Sequence, residues 1–474
     1  MLNTEQTCTD SIGADPGGAE GSAGPGDTDP GAAEPGTTGD RPAALSGWTV
    51  LFFAVAAGVA VATVYFAQPL LVSMGRDFAL SPATVGLVIT ATQVGYGVGL
   101  FLLVPLGDVV NRRRLIVGQF LLIAVSLAAV GSASGTAALL AGMAAVGLLA
   151  VVTQALVAYA ATLAGPARRG RVVGLVTSGV VVGILCARAV SGALADLAGW
   201  RAVYFTAAAL ALAIGLAAHR VLPRPAPTVL ALAALAPTGP TRPGRALPYR
   251  RLLGSVFVLF RREPVFRARA VLALLVFGAF STLWSSLALP LSAPPLAMSH
   301  TAIGAFGLVG VAGAVAAVPA GRLNDRGLAG WTTGVALVLL TGSWAAIALT
   351  PRSLWALAAG AVLLDLAVQA VHVTNQSLIF ELQPAAGSRL IGGYMIFYSV
   401  GSGAGAIGST AVYAVAGWLG VCALGGTLSA LALLWWAATT SAKKHGFRAI
   451  TSCPEPVAAD GGVSDQTRCP SRPR

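Results

Sequence analysis

Residues 83–134 read ATVGLVITATQVGYGVGLFLLVPLGDVVNRRRLIVGQFLLIAVSLAAVGSAS. Two apolar runs, 83–104 and 115–134, flank a short polar turn that holds Asp108 and the three arginines Arg112, Arg113 and Arg114. Each run is close to the roughly 20 residues that carry a helix across a hydrocarbon core about 30 Å thick. Apolar side chains fall on nearly every face of both runs. A strand of a membrane barrel would instead alternate apolar and polar over about 10 residues. The stretch therefore predicts two membrane-crossing helices joined by a basic turn.

The same unit recurs along the chain. Apolar runs fall near 46–68, 83–104, 115–134, 137–162, 172–194, 201–220, 268–290, 302–320, 331–349, 354–380, 390–412 and 416–438, which predicts twelve crossings. Composition agrees. Of 474 residues, 10% are charged and 56% hydrophobic, whereas a soluble domain carries about 25% charged residues. There is too little polar surface for a water-soluble enzyme and too much apolar content for a disordered chain. The expected fold is an all-α polytopic membrane protein.

Charge placement gives the orientation. The formal net charge of +12 would suggest nucleic acid in a soluble protein, but here the arginines alternate with the turns. Even-numbered turns hold Arg112, Arg113 and Arg114, then Arg168, Arg169 and Arg171, then a cluster between 220 and 269, then Arg322 and Arg326, then Arg389. Odd-numbered turns hold only Arg76, Arg201 and Arg352. By the positive-inside rule both termini are expected in the cytoplasm, and no nucleic-acid partner is implied.

Composition also divides the chain. Residues 1–45 are Gly, Pro, Ala, Thr and acids, and are expected to be a disordered acidic tail rather than a signal peptide. A helical bundle follows at 46–220. Residues 221–267 are a Pro- and Arg-rich linker, where Pro disfavours a long helix. A second bundle occupies 268–440, and 441–474 is a second tail. Six crossings on each side give a 6+6 plan. Leu106-Gly107-Asp108 and Leu323-Asn324-Asp325 fall at matching places in the two halves. The five cysteines show no CxxC or Cys/His spacing, so neither a metal site nor a disulfide framework is implied.

These features resemble the major facilitator superfamily, over roughly 46–440. That family's turn after the second helix runs Gly-x-Leu-x-Asp-Arg-x-Gly-Arg-Arg. In VPLGDVVNRRR (104–114), Leu106, Asp108, Arg112 and Arg113 hold the usual places, while Val104, Val109 and Asn111 depart from them. The copy GRLNDRG keeps Gly321, Leu323, Asp325 and Arg326 but lacks the paired arginines. YFAQPLL (65–71), GWRAVY (199–204) and DLAVQAVHVTNQS (365–377) are similar to the bacterial drug:proton-antiporter branch and its sugar-efflux relatives. The resemblance implies alternating access by two six-helix halves, with Asp108, Arg112, Arg113, Asp325 and Arg326 as a conformational latch. It also implies that crossings 1, 4, 7 and 10 line a central cavity.

Few ionisable residues interrupt the runs. Asp365 stands roughly 17 Å into crossing 10 at 1.5 Å per residue. A carboxylate at that depth is costly unless paired, solvated or protonated, which marks it as a proton-coupling candidate. Arg188, within crossing 5, could snorkel, pair with Asp365 or meet an anionic substrate. Gln369 and His372 continue a polar stripe from Asp365 on one helix face, and a histidine can relay protons near neutrality. Tyr65 and Gln154 are further lining candidates, though either could serve interhelical hydrogen bonding alone. Trp284 could stack on an aromatic or amphipathic substrate. Gly174, Gly179, Gly183 and Gly192 allow close packing of crossing 5. They resemble the glycine-rich fifth helix of antiporters without its Gly-Pro pair.

The expected function is secondary transport: proton-coupled efflux of small organic compounds, with uptake of a sugar or metabolite as the alternative. The expected setting is the bacterial inner membrane and the expected state a monomer. Its partners are then a small organic substrate, protons and the lipid bilayer. No GxSxG, HExxH or GxxxxGK[ST] motif supports an enzyme, an ATP-driven pump or a cofactor.

Overall fold

The computed structural model describes residues 46–107, 110–164, 168–222, 260–310, 319–324, 326–382 and 387–451, with positions 254, 258 and 316. The expected tail at 1–45, most of the linker 221–267, the tail beyond 451, and both Asp108 and Asp325 lie outside the described residues.

Regular structure among the described residues is helical. A first set comprises α1 (Gly47–Ala62), α2 (Ala67–Asp77), α3 (Leu87–Leu106), α4 (Arg112–Gly131), α5 (Thr136–Ala150), α6 (Val152–Leu163), α7 (Arg169–Ala198) and α8 (Trp200–Val221). A second comprises α9 (Pro264–Ser286), α10 (Ala288–Ser292), α11 (His300–Phe306) with a 3-10 turn at Gly307–Gly310, α12 (Ala329–Ala348), α13 (Leu354–Leu382) and α14 (Gly387–Thr451). Local chemistry starts them. The Ser46 and Ser299 hydroxyls and the Asn111 side-chain oxygen accept first-turn N–H groups of α1, α11 and α4. Pro264 stands in the first turn of α9, where no N–H is needed.

Among the described residues, ten helical spans are long and apolar enough to cross a membrane, where twelve separate ones were expected. The difference lies at two places. The expected crossings 390–412 and 416–438 lie within one apolar stretch, Leu390–Thr440, of 51 residues, as two helices that meet at a kink. At 1.5 Å per residue that is about 76 Å, more than twice a hydrocarbon core of about 30 Å. It is broken at Gly417, whose φ of 61° is a conformation that glycine adopts without side-chain strain. Of the expected crossing 302–320, the short apolar helix His300–Gly310 and the helical residues 319–320 are described, while 311–315, 317 and 318 lie outside the described residues.

Among the described residues, three spans are interrupted within their apolar stretch: α1–α2 at 63–66, α5–α6 at Val151 and α9–α10 at Leu287. A break frees backbone carbonyls that lipid cannot satisfy. The hydroxyls of Thr63 and Thr153 take this role, donating to the oxygens of Ala60 at 2.7 Å and Ala150 at 3.0 Å. Side chains such as Phe53, Leu70, Phe120, Tyr204 and Leu340 fill the interior. Leu51, Leu122, Leu216 and Leu419 stay exposed on the outside, as an apolar solvent permits. The two sets meet where α3 packs on α14, α7 on α11, and α2 on α10.

Candidate functional site

The breaks place polar side chains at mid-depth between the two sets. Asp365, on α13, is 7% exposed. Its Oδ1 accepts the indole N–H of Trp284 at 3.0 Å. Above the same indole lies the Arg188 guanidinium, with its carbon 4.0 Å from the ring centroid. Arg188 comes from α7 of the first set, and Trp284 and Asp365 come from the second. The indole therefore joins a cation and a carboxylate through its two different surfaces, ring face and N–H edge. Direct pairing of Arg188 with Asp365 is not the geometry found; Trp284 stands as their common neighbour.

Arg188 is 3% exposed. Its Nε donates to Oε1 of Gln68 on α2, and its guanidinium also lies 5.4 Å from the Tyr65 ring centroid. One terminal nitrogen, Nη2, is buried without a hydrogen-bond partner. Tyr65 sits in the α1–α2 break, and its hydroxyl shares a 2.9 Å hydrogen bond with that of Tyr398 on α14. A methyl group at Gly310 would stand 2.5 Å from Oδ2 of Asp365. The 3-10 turn that follows α11 thus lies directly against the carboxylate.

The other candidates surround this centre at different distances. His372 Nδ1 shares a 3.0 Å hydrogen bond with the Tyr394 hydroxyl, and its ring lies edge-on to Phe277. Phe277 in turn contacts Tyr398, with centroids 4.1 Å apart. Gln154 is half-buried on α6, and Tyr96, on α3, contacts the Tyr398 ring. Gln369 is half-buried between Asp365 and His372 on α13. Of the latch residues, Arg112 donates to the Gly107 oxygen at 3.1 Å and to Thr162, and Arg113 donates to the His219 oxygen. Arg326 is exposed.

Sequence reasoning missed Tyr394, Tyr398 and Gly310. The two tyrosines are four residues apart, a spacing that puts both on one helix face. Gly310 carried no signal, since its role is the absence of a side chain. Among the described residues, no group of three or more His, Cys, Asp or Glu comes together as a metal site. A separate groove of about 390 Å³, lined by Trp331, Gly334, Val335, Val338, Leu339 and Trp436, offers apolar atoms alone.

The sets are not joined equally along their length. At mid-depth, Ser399 donates to the Gln93 oxygen at 2.7 Å and Thr90 to the Gly403 oxygen at 3.0 Å. Toward the arginine-poor pole, Ser73 and Asp196 meet His300. On helix α7, Ala187, Arg188, Ser191 and Ala195 are buried against the second set or its own, and nearer the arginine-rich pole Val172 and Val176 are buried while Gly174, Leu175, Thr177 and Ser178 are exposed. Among the described residues, the contacts between the sets run from mid-depth to the arginine-poor pole, which is closed.

A bundle of long apolar helices with a buried polar joint between two sets, closed at one pole, defines a polytopic membrane transporter rather than an enzyme. The chain belongs to the Major Facilitator Superfamily, whose family model matches residues 50–294. It is 44% identical over 393 residues to "Uncharacterized transporter YgaY" of Escherichia coli O157:H7, covering 83% of this chain and 96% of the relative. It is 33% identical over 387 residues to "Probable transporter SCO4007" of Streptomyces coelicolor, covering 81% and 85%. The fold is similar to that of a bacterial homolog to the human lysosomal transporter Spinster, solved inward-facing and unoccupied. The TM-score is 0.67 at 16% identity, over 83% of this chain and 96% of that one. The protein is a multi-pass secondary transporter of the alternating-access type.

Proposed function

We propose that the protein is a proton-coupled exporter of small organic compounds and that Asp365 carries the coupled proton. The observation behind this reading is that Asp365 is buried at the joint of the two helix sets, hydrogen-bonded to the indole on which Arg188 of the other set stacks. A proton there changes the charge that faces Arg188. That is a differential interaction of the kind that can bias one conformation over another. Substrate enters from the cytoplasm while Asp365 is ionised, and the sets rock to open the opposite pole. A proton then competes at Asp365, and substrate leaves. The aromatic surround of Tyr65, Trp284, Phe277 and Tyr398 suits an apolar or aromatic substrate body. His372 and Tyr394 offer the proton a hydrogen-bonded step toward the arginine-rich side.

In this reading the chain has twelve crossings in two six-helix bundles, 46–220 and 268–440. Gly417 turns the chain between the last two crossings. The alternating arginines place both termini in the cytoplasm of a bacterial cell, with the closed pole outside. The protein then works as a monomer, inward-facing while the arginine-poor pole is closed, with Asp108 and Asp325 latching the cytoplasmic side in the opposite state.

The test is flux in everted membrane vesicles under an imposed pH gradient, with lipophilic cations, antibiotics and neutral sugars as the panel. Gradient-driven accumulation with proton release, lost in Asp365→Asn, is the expected result. Normal transport by Asp365→Asn, with unchanged pH dependence, would remove Asp365 as the coupling group. Accumulation in the reverse sense would favour uptake.

A further inference from the structure

At the arginine-poor pole, Asp196 ends the first set's α7 beside the start of α11 in the second set. Its Oδ1 lies 2.6 Å from Nδ1 of His300 and accepts the His300 backbone N–H at 3.2 Å. Its Oδ2 accepts the Thr301 backbone N–H at 2.7 Å. Ser73 of α2 meets the other ring nitrogen, with its Oγ 2.6 Å from Nε2. One carboxylate thus gathers three contacts from the opposite set, and a serine of a second helix completes the ring's bonding.

The backbones beneath are equally close. A methyl group at Gly192 of α7 would stand 2.2 Å from the His300 oxygen, and one at Gly304 of α11 would stand 2.3 Å from the Arg188 oxygen. The two helices are fitted to each other at both ends of this contact. Two other charges at this pole pair within the first set, where Asp77 accepts from Trp200 and pairs with Arg201.

We propose that Asp196, His300 and Ser73 form the outer clasp of the transport cycle, holding the closed pole shut until substrate-loaded sets rock apart. The inference rests on alternating access, not on the choice of coupling ion. Three features suit a clasp that must open and reclose. It is made of hydrogen bonds between sets rather than within one. It sits at the surface, with the His300 and Asp196 side chains 28% and 29% exposed, so water replaces each bond as it breaks. It also holds whether the imidazole is neutral or charged, because the Ser73 hydroxyl can donate to Nε2 or accept from it. Opening exposes what lies below, including Ser191, which is wholly buried one turn deeper on α7.

The experiment uses the full chain with its five cysteines replaced and a single reporter, Ser191→Cys. A membrane-impermeant maleimide is applied in right-side-out vesicles without a proton gradient. Asp196→Ala and His300→Ala should label about tenfold faster or more than the parent, the scale of one charge-assisted hydrogen bond. Asp77→Ala, at the same pole but outside the clasp, should label at the parental rate. Unchanged labelling in both clasp variants would overturn the proposal, as would an equal rise in Asp77→Ala. A second measurement survives poor folding of either variant. The pair Asp196→Cys and His300→Cys, joined by a short thiol cross-linker that a reductant cleaves, should stop flux and recover it on reduction. Flux that persists when cross-linked overturns the clasp. Failure of the proton-coupling reading would show separately, as normal transport by Asp365→Asn with the clasp variants still labelling fast.

Discussion

The guanidinium of Arg188 stacks on the indole of Trp284, its carbon 4.0 Å from the ring centroid. The two residues belong to different helix sets, so the contact is renewed or broken whenever the sets move. The indole does two things at once, since its N–H also holds Asp365 at 3.0 Å. Trp284→Phe keeps a ring for Arg188 and removes the donor; Trp284→Ala removes both. Flux should fall in the order wild type, Trp284→Phe, Trp284→Ala. Arg188→Lys should behave like a loss variant, because an ammonium cannot stack flat on an indole while donating sideways to Gln68. Equal flux from Trp284→Phe and wild type would show that the hydrogen bond to Asp365 is idle in transport.

The glycines of α7 make a sharper test because their fates differ. Methyl groups at Gly179 and Gly183 would stand 2.3 Å from the Ala54 oxygen and 2.2 Å from the Gly58 oxygen, whereas at Gly174 nothing lies within 4 Å. Small residues let membrane helices approach closely, and overpacking such a contact costs about 1–3 kcal/mol. Gly183→Ala should lower the melting temperature of the detergent-purified protein and Gly174→Ala should leave it unchanged. Equal melting of the two would mean that α1 can shift to accommodate the methyl group.

That contrast also shows what the sequence could express. Gly174, Gly179, Gly183 and Gly192 look alike as a small-residue pattern, yet one of them faces open space, two face α1 and the last faces the start of α11. Crossings were legible because a run of about 20 apolar residues has few other uses. Their interruptions at 63–66, Val151 and Leu287 were not, because the sequence is apolar on both sides of each break. Only Thr63 and Thr153, bonded back to Ala60 and Ala150, hint at them afterwards. The depth of Asp365 could be counted along its own helix. Its partner could not, since Trp284 lies 81 residues away in the chain. Asp196 and His300 went unremarked for a related reason. Each stands at the end of an apolar run, where a charged or polar residue is ordinary, and their meaning comes from facing one another.

The Tyr65 and Tyr398 hydroxyls share a buried 2.9 Å hydrogen bond between the sets. Removing one hydroxyl leaves the other without that partner, while removing both leaves two rings in the same space. Tyr65→Phe and Tyr398→Phe should each destabilise the protein, and the double variant should lose less than the sum. The coupling expected from a double-mutant cycle is about 0.6 kcal/mol, typical of interhelical hydrogen bonds in membranes. Strict additivity would mean that the hydroxyls are satisfied independently.

Substrate affinity gives the most direct reading of the Asp365 proton. If ionised Asp365 belongs to the substrate-binding state and a proton competes with substrate, binding to the wild type must weaken as pH falls through the range in which Asp365 takes up its proton. Asparagine resembles the protonated carboxyl in charge and shape. Asp365→Asn should therefore bind substrate weakly at every pH, and its affinity should be flat where that of wild type slopes. The comparison needs only equilibrium binding to purified protein at acidic and alkaline pH, so it is independent of vesicle orientation and of the direction of flux. A parallel slope in wild type and Asp365→Asn would place the titrating group elsewhere. His372, hydrogen-bonded to Tyr394 two helical turns along α13, would then be the first residue to replace.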